Sequence, residues 1–305
     1  MRSDARIGLR CPLPHPCLIH NAHAGSVAGL GRGLVKEAES IGLPCFEVRR
    51  PGGAAAVARE ALEQGYDRII VAGGDGTISQ VVNGVAPRFD RVELAVVPLG
   101  TGNDLARTLG IPLDQPGDAL ELALRGASCE IDLIHVTGAG TEYCVNAASG
   151  GIGARVAADI DPHDKVRWGA FAYWLTAVTK LIELKEYHVR LELDDQTHEM
   201  PLYGVIVANG MYVGGGFPIA PAASVRDGCL DVTVIPVLPV LELLAAGLNF
   251  TFGRHYADRI QSFRTRRAHL VATPGMSFSI DGEPTRTIDM TFEVLPRTLR
   301  CVVGA

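Results

Sequence analysis

The stretch V-A-G-G-D-G-T-I-S-Q-V-V-N, Val71–Asn83, carries an apolar run into three glycines set around one aspartate, and then into a helical pattern. Glycine permits positive φ and close approach of a ligand to the backbone, and the free N–H groups at a helix start attract anions. The stretch therefore predicts a strand, a phosphate-binding turn and a helix. A plain strand-to-helix turn, with Asp75 only as a helix cap, would need one glycine rather than three and no Thr directly after them.

Outward from this point the same grammar repeats. Leu18–Asn21, Cys45–Arg49, Arg68–Ala72 and Leu94–Pro98 read as strands, and Leu34–Ile41, Ala54–Gln64 and Ile78–Val85 as helices between them. Strands and helices alternating at this spacing imply a parallel sheet covered on both faces. The fourth strand ends in P-L-G-T-G-N-D-L-A-R, Pro98–Arg107, again a glycine-bearing loop before a helix. In open α/β sheets ligands collect beyond the carboxyl ends of the strands, so the two loops are expected side by side there. With Asp75 and Asp104, they can hold phosphates through N–H groups and a divalent cation through carboxylates.

After the helix Pro116–Arg125 the pattern changes to alternation. Cys129–Val136 and Glu142–Asn146 read as strands, and G-G-I-G at Gly150–Gly153 reads as a break. Lys165–Leu184 reads as a long helix bearing Trp168, Phe171, Tyr173 and Trp174. Val189–Leu193, Tyr203–Asn209, Leu230–Pro236, Arg266–Val271 and Met276–Ile280 then follow at the spacing of an antiparallel sandwich. The expected organisation is an α/β domain over residues 1–130 and a β-sandwich domain over 131–290, with the tail 291–305 a last strand that packs back on the first.

The 305 residues carry a net charge of −6 with 47% hydrophobic residues, which argues against a nucleic-acid partner. The seven cysteines are scattered and form no C-x-x-C pair, so neither a disulfide framework nor a zinc site is indicated, and a reducing compartment is expected. No apolar run at the start reads as a signal peptide. The segment Ile235–Gly253 is interrupted by Pro236, Pro239 and Glu242 and does not read as a spanning helix. A cytoplasmic protein with at most peripheral membrane contact is expected.

The P-loop pattern G-x-x-x-x-G-K-[ST] is absent, as are H-E-x-x-H and G-x-S-x-G. One further candidate lies far along the chain, S-I-D-G-E at Ser279–Glu283, where a strand stops at a turn with two carboxylates flanking a glycine. Alone it could be a solvated turn. Beside a phosphate site it gains a use, because phosphoryl transfer needs a carboxylate within reach of the accepting hydroxyl.

G-G-D-G-T (Gly73–Thr77), P-L-G-T-G-N-D-L-A-R (Pro98–Arg107), the run Gly214–Asp231 and I-D-G-E (Ile280–Glu283) together resemble the diacylglycerol kinase catalytic family, in its bacterial lipid-kinase branch. The resemblance implies an N-terminal Rossmann-like α/β domain of the NAD kinase and diacylglycerol kinase type, followed by the antiparallel β-sandwich. It implies an ATP- and Mg2+-dependent kinase acting on a lipid hydroxyl, of diacylglycerol or a sphingoid base, with peripheral contact at the inner membrane face; a homodimer is compatible with it. Nucleotide contacts then fall on Asn21, Gly25, Ser26, Gly73, Gly74, Asp75, Gly76, Thr77, Gly100, Thr101, Asn103 and Asp104. Glu283 takes the general-base role, with Asp281 and Asp75 near the metal or phosphates. A structural magnesium maps to Asp227 and the main chains of Ser224 and Cys229, and a head-group contact maps to Asp159 or Asp161.

The chain departs from the family pattern in its first loop, where Asn21–Ser26 has neither the usual Pro nor a Lys, and near Arg49–Arg50, where a Thr is usual. Two other readings share features of the sequence: an NAD kinase, which also carries G-G-D-G-T, and a non-catalytic lipid- or nucleotide-binding protein. Arg254, Arg259, Arg264, Arg266 and Arg267 form a basic group that suits anionic lipid heads or a solvated strand face equally.

Overall fold

The computed structural model describes residues 14–21, 28–138, 140–152, 154, 184–239, 242 and 260–304. Gly25, Ser26, Asp159, Asp161, Arg254 and Arg259 lie outside the described residues, as do nearly all of the expected aromatic helix and most of the apolar segment after Pro239.

Four strands, β1 (Pro16–Asn21), β2 (Cys45–Val48), β3 (Arg68–Gly73) and β4 (Glu93–Pro98), pair in parallel in the order β2-β1-β3-β4. Every residue of β3 and β4 is buried, as expected of strands covered on both faces. The helices around them are α1 (Ala28–Ser40), α2 (Ala54–Glu63), α3 (Asp75–Val85), α4 (Asp104–Thr108) and α5 (Pro116–Arg125). Pro116 opens α5, where its missing N–H costs nothing. Away from the strand ends that bear the glycine loops, buried Arg68 pairs with Glu93 and donates to the carbonyls of Ala123 (3.3 Å) and Leu124 (2.6 Å), tying β3 and β4 to the end of α5. Removing one partner from such a buried pair costs about 3–5 kcal/mol.

Among the described residues nine further strands follow: β5 (Ser128–Thr137), β6 (Thr141–Cys144), β7 (Ala147–Gly151), β8 (Tyr187–Leu193), β9 (Gln196–Ala208), β10 (Leu230–Pro236), β11 (Gln261–Thr265), β12 (Arg267–Ile280) and β13 (Glu283–Val302). All pairings among them are antiparallel, and β8, β9, β7 and β12 pair in a closed circuit. Along β8 the residues Tyr187, Val189, Leu191 and Leu193 point inward while His188 and Arg190 face out. This alternation builds a core with Phe278, Phe292 and Val207.

The chain's last strand joins the two parts. β13 pairs β12 and β5 along most of its length, then runs parallel to β4 at Arg300 and Cys301. The cores also interleave within single strands: Ile131 and Leu133 belong to the first, and Ile134 and Val136, on the same β5, to the second.

Several elements differ from their sequence expectation. The expected strands Arg266–Val271 and Met276–Ile280 are one strand, β12, with an irregular register between Val271 and Met276. The expected break at Gly150–Gly153 begins later than its first glycine, since Gly150 lies inside β7, which ends at Gly151 (φ 70°). A Cβ on Gly150 would lie 2.6 Å from the Phe278 ring and 2.7 Å from Met276 Sδ, so the glycine makes room for core side chains and does not turn the chain. Helix α3 begins at Asp75 rather than Ile78, which puts the glycine motif inside its first turn.

Candidate active site

The first turn of α3 is built around Gly74, whose extended backbone (φ −99°) precedes the helix and whose carbonyl accepts N–H bonds from Thr77 (2.9 Å) and Ile78 (3.1 Å). The start of a helix is a place where backbone N–H groups attract an anion, although here the Thr77 N–H is already bonded to Gly74. Asn21, at the end of β1, donates to the Thr77 hydroxyl at 3.5 Å and so ties the start of the first loop to this turn.

The second glycine loop does sit against the first. A Cβ on Gly74 would be 2.9 Å from the Gly100 Cα, and one on Gly100 would be 2.4 Å from the Gly74 Cα, so the two backbones touch where only glycine fits. Asn103 closes the second loop. It stands at φ 53° before α4, accepts from the Gly100 N–H (3.0 Å) and donates to the Gly100 carbonyl (2.8 Å). A left-handed residue costs about 1–2 kcal/mol, least for Asn, whose short amide bonds locally as it does here.

Asp75 and Asp104 meet across Gly102: a Cβ there would lie 2.8 Å from Asp75 Oδ2 and 3.4 Å from Asp104 Oδ2. Asp75 accepts the Leu105 N–H at 3.2 Å. Burial raises its carboxyl above the ordinary range, against the pull of backbone donors. Asp104 is pushed up to about 6, first by burial and then by the charge of Asp75, with Arg107 drawing it down. The Asp104 carboxylate also reaches the second part of the fold, accepting N–H bonds from Gly215 (3.0 Å) and Gly216 (2.7 Å).

Asp281 and Glu283 lie at the tight turn between β12 and β13. Ile280 pairs with Glu283, leaving Asp281 (φ 46°) and Gly282 (φ 98°) as a two-residue hairpin loop in which both φ angles are positive, the geometry that favours Asp-Gly. Asp281 is 6% exposed. Its carboxylate accepts the N–H groups of Val145 (2.7 Å), Asn146 (3.0 Å) and Ala147 (3.1 Å) and the Cys144 thiol (3.2 Å). Burial pushes it up to about 6 against those donors. Cys144, buried beside it, is raised well above its usual value and stays a thiol.

Glu283, by contrast, is exposed and points back to the glycine motif. Its Oε1 accepts from Gln80 Nε2 at 3.0 Å and lies 4.0 Å from where a Cβ on Gly76 would be. Gln80 is itself fixed, its Oε1 accepting the Ala54 N–H at 3.3 Å. Two motifs some two hundred residues apart thus face each other over a cleft of about 310 Å3, lined among others by Asp75, Thr101, Asp104, Gly215, Ser279 and Asp281.

Several contributors went unnoticed in the sequence. Gln80 is four residues after Gly76 and therefore on its helix face, a signal that was available. Asn146 and Asn209 each close an apolar strand run. Buried Asn209 donates to the carbonyls of Asp132 and Val145, both at 2.9 Å, and Asn146 donates to the Tyr212 carbonyl at 2.9 Å.

The turn at Ser224–Cys229 is placed elsewhere. The Asp227 N–H reaches the Ser224 carbonyl at 3.4 Å, Asp227 Oδ1 accepts the Cys229 N–H at 3.1 Å, and Oδ2 is paired with the Arg264 guanidinium. A cation already occupies this carboxylate, and it is an arginine; the residues as arranged do not fit a structural magnesium. Among the described residues no group of three or more His, Cys, Asp or Glu is placed to hold a metal, and no helix is long and apolar enough to cross a membrane.

Comparison with known proteins identifies a family for both parts of the chain. The diacylglycerol kinase catalytic domain model matches residues 15–136, and the YegS C-terminal NAD kinase beta sandwich-like domain model matches residues 146–303. The chain is 34% identical over 256 residues to a protein of Stenotrophomonas maltophilia named "Probable lipid kinase YegS-like", covering 82% of each. It is 34% identical over 235 residues to a diacylglycerol kinase of Bacillus subtilis, covering 76% of each. A crystal structure described as a diacylglycerol kinase from Bacillus anthracis shares the fold, with a TM-score of 0.75 at 22% identity over 97% of this chain and 98% of that one.

Proposed function

Because this chain belongs to the diacylglycerol kinase catalytic family, we propose that it is a lipid kinase that transfers the γ-phosphoryl group of ATP to a hydroxyl of a diacylglycerol or sphingoid lipid at the cytoplasmic membrane face. The observation that carries this reading is the Glu283 carboxylate, held by Gln80 over Gly76 of the phosphate-binding turn.

ATP phosphates rest on the N–H groups at the start of α3, with the Gly100–Asn103 loop beside them. The residues present fit a magnesium ion arriving with ATP: half-buried Asp75 and buried Asp104, brought together, leave a deficit of positive charge in the cleft, and Asp75 would hold the ion, which would supply that charge at the phosphates. Asp104 spends its oxygens on Gly215 and Gly216, drawing the second part of the fold onto the nucleotide side. Glu283 takes the proton of the lipid hydroxyl as the new O–P bond forms to the γ-phosphorus and the bond to the β-phosphate oxygen breaks, releasing ADP. Asp281 acts as a positioning residue, fixing the hairpin that aims Glu283 by holding the chain at 145–147.

The test is a phosphorylation assay with purified chain, labelled ATP, magnesium and a panel of diacylglycerol, monoacylglycerol, sphingosine and ceramide. One phosphorylated lipid is expected, and Glu283→Gln is expected to lower kcat about 10²–10⁴-fold with nucleotide binding retained. No product across the panel, or an unchanged kcat in the variant, would overturn the reading.

A further inference from the structure

A second cavity, of about 470 Å3, lies at the Asp227 turn, beside β12 and the irregular stretch of β13 at Pro296–Arg297. Its size falls within the range of about 300–1,000 Å3 typical of small-molecule sites. Four arginines line it: Arg226, Arg266, Arg267 and Arg297.

The acidic groups around the cavity are engaged in a particular way. Asp132 is fully buried, and its carboxylate accepts the N–H groups of Gly228 (2.7 Å) and Arg297 (2.8 Å). Asp194 accepts the N–H groups of Arg266 (3.1 Å) and Arg267 (3.0 Å). Asp227 is neutralised by Arg264. Glu293 is the cross-strand partner of Arg267 but forms no ion pair with it. Asp132 and Asp194 thus grip the backbone of the segments that present the arginines; Asp194 also feels the Arg266 charge, but neither acid forms a hydrogen bond or ion pair with an arginine side chain. Arg297 is even held at φ 51°, a left-handed conformation that its bond to Asp132 fixes.

None of the four guanidinium groups has a hydrogen bond or ion pair with any described residue, and all four residues are exposed. Guanidinium is a planar fork of donors matched to phosphate oxygens. Four of them line one concavity, beside Glu293, which forms no ion pair with them, so positive charge is in excess there and favours an anion.

We propose that this cavity is an anion site, separate from the nucleotide cleft, which takes a phosphate group carried by a lipid head at the membrane surface or free in solution. The full-length chain is titrated with inorganic phosphate by calorimetry, and sedimented with phosphatidylcholine vesicles with and without phosphatidylglycerol. Arg226→Ala/Arg267→Ala is compared with wild type and with Arg59→Ala/Arg125→Ala, which removes the same charge from exposed positions on α2 and α5. Phosphate bound in the nucleotide cleft is common to all three, so the site is the component that the first variant alone loses.

The expected result is a loss on the order of tenfold in that variant and little change in the control. A loss that includes the phosphatidylglycerol vesicles identifies the lipid head as the source, and a loss confined to inorganic phosphate identifies the free ion; either supports the site. If the alanine pair lowers Tm, Arg226→Lys/Arg267→Lys is read in its place and is still expected to weaken binding, because lysine keeps the charge but not the fork. Binding unchanged in both assays, or lowered equally in the control, overturns the proposal.

Discussion

Two acidic positions in this molecule solve the same electrostatic problem differently. In the cleft, Asp75 and Asp104 close on one point from two glycine loops; burial raises both carboxyls, and the charge of Asp75 raises Asp104 further. At the Asp227 turn a single carboxylate is met by Arg264, and its other oxygen by a backbone N–H. On the proposed reading the first arrangement takes a cation from solution, whereas the second is met by an arginine of the chain itself. An aspartate in a glycine-rich turn is therefore a metal candidate only when no arginine reaches it, and arginines are not visible as neighbours in sequence when they lie on another strand.

The comparison breaks first at Asp75. Asp75→Asn keeps the shape and removes the charge, and is expected to lower kcat/KM about 10²–10³-fold while Tm holds or rises, since a repelled buried charge is gone. Unchanged kinetics would return Asp75 to a helix-capping role.

The next effect is in pH. Asp104 is raised to about 6 in the folded chain, so the native state binds its proton more tightly than the unfolded state does. The stability this contributes is complete below the ordinary carboxyl value and lost as pH rises through about 6. Tm of the nucleotide-free chain is thus expected to rise as pH falls from about 7.5 to about 5.5, while kcat/KM falls up to tenfold per unit below about 6 as the cleft loses the charge that suits a cation. Calorimetry and a pH–rate profile check the two opposite slopes, and parallel slopes would separate the stability effect from the catalytic one.

The smallest effect distinguishes the second position. Chelation of magnesium is expected to abolish turnover and leave Tm of the free chain unchanged, because Arg264 already neutralises Asp227. Arg264→Ala is expected to lower Tm slightly and to make it respond to added magnesium, as the turn acquires a vacancy. A magnesium-dependent Tm in the unaltered chain would reverse this reading.

The parallel half was legible because its signals are local. β1, β3 and β4 fall within a residue or two of the apolar runs that announce them, and the meeting of Gly74 with Gly100 follows from two loops ending adjacent strands. The cleft's far side was legible as a turn with two acids, but not in the division of labour between them. Asp281 turns inward because the loop at 145–147 offers three N–H groups, and Glu283 turns out toward Gln80. Both outcomes depend on partners more than a hundred residues away, which no periodicity records. The same holds for the N–H groups of Gly215 and Gly216 on Asp104, where the sequence showed only a glycine run. β11 passed unnoticed because Q-S-F-R-T is an edge segment with three of its five residues exposed.

β13 has a consequence for biosynthesis. Leu299, Cys301 and Val302 are fully or almost fully buried in the first core, and Arg300 and Cys301 extend the parallel sheet beside β4. The ribosome delivers these residues roughly two hundred positions after β4, so the N-terminal sheet waits with one edge open while the sandwich is still being made. During translation that edge is the surface on which a chaperone would act, and a chain stalled before β13 would expose it.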